Sequence, residues 1–177
     1  MIGLSKKHLI GLLAATAVCA GAGTAVAQSK DAAKPSDAKP KAPSNEADCI
    51  FYEIEASNGT ASVDKALTPL AKKLKKPPFS SWKTFKLLKK HDKRVQKMKA
   101  LRQPLVTGSK MTLLYRDRSG GGDQKVRLRL KFTLDDKNDK RKLDSTINVD
   151  SGDHSLIGGD ELPGGGTYIL GVSCKAL

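Results

Sequence analysis

Imidazole, thiol and clustered carboxylate are scarce in this chain: its 177 residues include three histidines and three cysteines. His154 stands in "SGDHS" with Asp153 beside it and Asp160 and Glu161 a few residues on. An imidazole with three carboxylates could make a metal site or supply a hydrolytic base. Their spacing fits no familiar ligand pattern, however, and an oxygen-rich turn is ordinarily solvated. His91 sits in "KKHDKR", where neighbouring cations repel a metal and oppose protonation. No serine has a nucleophile-elbow context, and neither Cys49 nor Cys174 has a histidine beside it. The residues therefore designate no catalytic group, no metal ligand and no cofactor. An extracellular hydrolase or metal-dependent enzyme built on His154 and the nearby acids stands as the alternative to a non-catalytic module.

A different chemistry is written in "KVRLRLKFTL", residues 125–134. Val126, Leu128, Leu130, Phe132 and Leu134 fall on one parity of a strand, and Lys125, Arg127, Arg129 and Lys131 on the other. If the strand before it pairs in a hairpin through "SGGGDQ", the row Lys110, Thr112, Leu114, Arg116 and Arg118 can join the same face. Same-side residues on a strand are about 6.7 Å apart, a spacing comparable to charges along an extended polyanion. Arg116, Arg118, Arg127, Arg129 and Lys131 are accordingly the expected polyanion-binding residues, with the solvated side of an ordinary sheet as the competing reading. The face carries no aromatic for bases to stack on, so no specific nucleic acid is expected. Partners of the right chemistry are an anionic envelope polymer, lipid head groups or a protein.

The N-terminus reads as a secretory leader. Residues 1–27 contain Lys6 and Lys7, the apolar run "LIGLLAATAV" and a small-x-small end at Ala27. Beyond Val18 the stretch is too weakly apolar for a span of about 20 residues, so no transmembrane segment is expected after cleavage. Removal would take two positive charges from the net +14 of the whole chain, leaving it strongly basic. Such a charge favours anionic partners without choosing among them. Residues 28–47, "QSKDAAKPSDAKPKAPSNEA", hold no apolar side chain larger than alanine and read as a disordered Lys/Pro/Ala linker. Residues 48–177 have the size of a single globular domain. In a chain sent to a periplasmic or extracellular compartment, Cys49 and Cys174 read as a structural disulfide. One difficulty is parity: alternation sets Ile50, Tyr52, Ile54 and Ala56 on the core face and Cys49 on the far side of its strand, whereas Cys174 shares a parity with Tyr168, Leu170 and Val172.

Apolar spacing over Val63–Leu74 predicts a first helix, interrupted by Pro69. A second helix is predicted after Pro77 and Pro78, capped by Ser80 or Ser81, with Phe79, Trp82, Phe85 and Leu88 as the wedge that packs it. The run "PPFSSWKTFKLLKK" resembles the signature of a family of small secreted bacterial proteins, with Pro78–Phe85 as the most specific part. The resemblance covers most of residues 49–175 and implies secretion and one compact domain, with no activity or cofactor attached. Strands are expected at Asp48–Ala56, Arg94–Leu101, Ser109–Arg118, Lys125–Leu134, Lys142–Val149 and Gly166–Cys174, and "GGDELPGGG" (158–166) as a connecting turn. The expected fold is α+β, with two N-terminal helices packed on one face of a mostly antiparallel sheet of about five to six strands.

Overall fold

The computed structural model describes residues 44–177; the leader (1–27) and residues 28–43 of the linker lie outside the described residues. Nine strands follow: β1 Glu46–Ser57, β2 Ser62–Val63, β3 Thr84–Gln96, β4 Ala100–Pro104, β5 Lys110–Gly121, β6 Gln124–Asp135, β7 Arg141–Asp150, β8 His154–Glu161 and β9 Thr167–Ala176. They form two sheets, in the orders β2-β3-β1-β9-β8 and β4-β5-β6-β7, antiparallel except for the short β2–β3 pair. The sheets face each other across a core that includes Phe51, Leu113, Leu128, Phe132 and Val172.

The expectation of two N-terminal helices on a sheet is overturned. Where the first was expected there is a 3-10 segment, Lys65–Leu70 with Pro69 inside it, and then a single α-helical turn, α1, Ala71–Leu74. Proline denies the segment a backbone donor and crowds the preceding turn, which limits it to this short form. Asp64 caps it by accepting from the Ala66 N–H at 2.9 Å. Leu67, Leu70 and Leu74 are fully buried on the outer face of the five-stranded sheet, against Tyr52, Ile54, Phe85 and Ile169. Gly171 admits them: a Cβ there would lie 3.3 Å from Leu70 and 3.4 Å from both Tyr52 and Leu156.

The second expected helix is β3. Its Phe85, Leu87 and Leu88 mimic helical spacing because of a bulge opposite Glu53 and Ile54, which pair with Lys89 and Leu87. The extra residue, Leu88, turns into the inter-sheet core while Leu87 faces the helical cap, and the parity flips so that His91 and Val95 point inward. Only Phe79–Ser81 of the predicted helix is helical, as a 3-10 turn.

Cys49 and Cys174 are bonded, and they oppose each other directly in the β1–β9 ladder with Cα atoms 4.1 Å apart. The parity difficulty dissolves because β1 is a central strand buried on both sides. Ala47, Cys49 and Phe51 face the second sheet; Tyr52, Ile54 and Ala56 face α1 and the 3-10 segment. Two further departures remain: the expected strand Arg94–Leu101 is divided between the end of β3, a turn at 97–99 and the start of β4, and β8 takes in the first four residues of the segment expected to be a turn. No described helix is long and apolar enough to cross a membrane.

Candidate functional site

The exposed face of the β4–β7 sheet holds the arginine row, in altered company. Arg127, Arg129 and Lys131 share this face of β6, opposite Asp150, Asn148 and Thr146 of β7. The acids of β7 reach across. Asp150 accepts from Arg127 Nε at 2.8 Å, and Asp144 lies 3.2 Å from Lys131 Nζ. Asp144 also takes Arg141 at 3.0 Å, and Arg141 pairs with Asp135 as well. Arg129 has no ion pair among the described residues, although its field helps Lys97 and the Arg118 N–H hold Asp117 below the usual carboxylate range.

A bulge in β5 breaks the other half of the row. Tyr115 pairs with Leu130 and Asp117 with Arg129, leaving Arg116 as the exposed extra residue. Beyond it Arg118 pairs with Leu128 and so turns to the inner side, where its Nη1 lies 3.4 Å from the Leu177 carbonyl and its buried Nε has no hydrogen-bond partner among the described residues. The structure thus keeps Arg127, Arg129 and Lys131 together, sets Arg116 on the bulge and sends Arg118 inward. A groove of about 580 Å³ at the loop end of this face is lined by Arg102, Lys110 and Arg141 with Asp135 and Asp139. Lys110 is held by Asp139 at 2.6 Å, and Arg102 alone of the three cations lacks an ion pair among the described residues. The face is a mixed-sign ladder with some excess of cations.

The residues of the alternative enzymatic reading are spread along β8. His154 opens the strand, flanked by Asp153, which binds Lys73 Nζ at 2.8 Å. Asp160 and Glu161 close it, about 20 Å away at the usual rise per residue. Burial lowers the His154 pKa, with Lys73 adding to the effect and Asp153 opposing it. Among the described residues no three His, Cys, Asp or Glu side chains gather as a metal site would require.

Sequence reasoning overlooked two other constellations. Between the sheets Glu53 is fully buried and accepts from three donors: the Tyr168 hydroxyl at 2.8 Å, the Val106 N–H at 2.7 Å and, at 2.7 Å, His91 Nε2. Burial, then the Glu53 carboxylate beside it, pushes the Tyr168 phenol far up, so it remains a donor. The β3 bulge is what brings His91 inward, and it could not be seen from alternation. This cluster clasps the β4–β5 loop onto β1, β3 and β9.

The second constellation is a lysine side. Beyond Thr84–Phe85, where β2 pairs, β3 has a free edge that carries exposed Lys86, Lys89 and Lys93. Lys72, Lys75 and Lys76 at α1 and Lys83 before β3 are also exposed. None of these seven has an ionic partner within 4 Å among the described residues. Charged edges guard sheets against strand addition, which accounts for part of the pattern. That need does not extend to Lys72, Lys75, Lys76 and Lys83, which lie off the edge. Lys75 and Lys83 meet at a groove of about 370 Å³ walled by Ala61, Ser62, Val63, Ser80 and Trp82 over Leu74 and Phe85. The signal available in sequence was the "KKLKK" and "WKTFKLLKK" density, obscured by reading both as helix surfaces. No protein-family model, curated protein or solved structure matches the chain.

Proposed function

We propose that this is an exported, non-catalytic binding module that holds an anionic polymer of the cell envelope, chiefly on its lysine-rich side, and that it belongs to the family of secreted proteins resembled by its Pro78–Phe85 run. The observation that carries the reading is the set of seven exposed lysines without ionic partners, since charges already paired within the protein have less to gain from a polyanion. Arg129, Arg116 and the paired Arg127 and Lys131 form a weaker, second cationic surface. The disulfide agrees with an oxidising compartment.

Retention on an acidic polysaccharide, measured against salt, tests the reading. Replacing Lys86 and Lys89 by Gln should lower the slope of log Kd against log salt by up to about two, because each ammonium removed leaves about one counterion fewer to be released from the polymer. Replacing Arg127 and Arg129 should lower it less, because Asp150 already occupies Arg127. Equal losses from both pairs would mean that net charge alone attracts the polymer. Failure of the wild type to bind above about 0.1 M salt, where exposed charges are screened, would end the proposal.

A further inference from the structure

We propose that the groove over Leu74 and Phe85 is a subsite for one acidic sugar of such a polymer, with the pyranose ring on Trp82 and its anionic group between Lys75 and Lys83; the inference rests on the polymer-binding reading above. The floor is set, since Leu74 is fully buried and Phe85 nearly so. Trp82 follows the Phe79–Ser81 turn in extended conformation, half-buried, its ring 6.4 Å from that of Phe79. Phe79 in turn lies 3.9 Å from a Cβ position on Gly158 of β8, so the indole is backed by packed structure and costs little to order. Its N–H has no hydrogen-bond partner among the described residues.

Charge at the groove has one sign. Asp64, next to the wall residue Val63, spends its oxygens on backbone, accepting from Ala66 N–H at 2.9 Å and Leu87 N–H at 3.4 Å. Lys75 and Lys83 keep their charge unpaired, and Ser62 and Ser80 add hydroxyls at the edge. An acidic pyranose matches each part: an apolar C–H face for the indole, hydroxyls for the serines and a ring-borne anion for the ammonium groups. About 370 Å³ is small-ligand size. An acyl chain would want an enclosed apolar slot, whereas this floor is already filled by Leu74 and Phe85. A nucleic-acid strand stacks successive bases on successive aromatics, and Trp82 is the one aromatic here besides the covered Phe85.

The chain contains one tryptophan, so its emission reports this groove and nothing else. The oxidised full-length protein is titrated with a galacturonic-acid tetramer, the neutral galactose tetramer, inorganic polyphosphate, oligothymidylate and phosphatidylglycerol vesicles. The acidic tetramer should shift the emission saturably, with the neutral one at least about tenfold weaker. By calorimetry Trp82→Ala should weaken the acidic tetramer about tenfold, as truncating a buried aromatic anchor does. Lys75→Gln with Lys83→Gln should weaken it similarly while leaving the tryptophan in place to be read. If Trp82→Ala does not fold, Trp82→Phe and the lysine pair carry the same test. Emission unmoved by the acidic tetramer while polyphosphate and polymer still bind would overturn the subsite and leave the polymer reading standing. An equal or stronger response to oligothymidylate or vesicles would also overturn it. If no polyanion binds at all, the polymer reading falls first.

Discussion

Replacing Tyr168 by Phe removes one hydroxyl from the buried Glu53 cluster and leaves the ring in place. The lost hydrogen bond, 2.8 Å to Glu53 Oε2, is charge-assisted and fully desolvated, which puts its contribution at about 1.5–3 kcal/mol. For a domain this size that corresponds to a fall in Tm of roughly 5–15 °C. Glu53→Leu is harsher. It strands the Tyr168 hydroxyl, the Val106 N–H and His91 without their acceptor, at about 1–3 kcal/mol for each buried group, a large share of the stability a single domain possesses. Urea unfolding with the disulfide intact gives both values, and hydrogen exchange at Val106 should accelerate in Glu53→Leu because the Val106 N–H loses its acceptor. A Tyr168→Phe protein within about 0.5 kcal/mol of wild type would refute the claim that the clasp is a net stabiliser.

Three other outcomes are expected. Reducing Cys49–Cys174, which spans 125 residues, should cost about 2–5 kcal/mol by urea titration, and unchanged stability would remove it as a clasp. Because burial lowers the His154 pKa, the unfolded chain takes up that proton first as pH falls; the stability linked to it is complete above about pH 6.5 and is lost as pH drops toward the folded value, so His154→Gln should flatten that slope, and an NMR titration at or above the ordinary value would contradict the argument. Gly120→Ala should destabilise by more than about 1 kcal/mol, since φ is +75° and the new Cβ would fall 2.2 Å from the Lys125 carbonyl oxygen, whereas Gly122→Asn, with open space and φ +61°, should change urea stability little.

What sequence showed and hid follows from the bulges. β5, β6, β7 and β9 were legible to within two or three residues because each buries one parity against the other sheet or, for β9, is a near-continuous apolar run buried on both faces. β3 was not, because the extra Leu88 converts two spacing patterns of two into one that looks like three. β8 was hidden by Gly158 and Gly159, read as turn residues; a Cβ on Gly159 would come within 3.1 Å of the Tyr168 carbonyl oxygen, so that glycine serves close packing. The arginine row was legible on β6 and broken on β5 by the bulge at Arg116. The acids that answer it, Asp144 and Asp150, lie on a neighbouring strand whose register no local pattern discloses. The Glu53 clasp needs four distant segments at once and leaves no local trace.

The Cys49–Cys174 bond lies three residues inside the start of β1 and two inside the end of β9. Tension applied before Cys49 and after Cys174 therefore frays at most the short pairs at Glu46–Asp48 and Lys175–Ala176, then passes from one end to the other through the sulfur bridge without reaching the hydrogen bonds inside the loop it closes. Mechanically the domain is a bead on a string: a load that would peel β1 from β9 in the reduced protein leaves the oxidised one folded. For the same reason a machine that threads one end of the oxidised chain must pass a loop of two strands, so the bridge protects against unfolding from the ends even where it adds nothing at equilibrium.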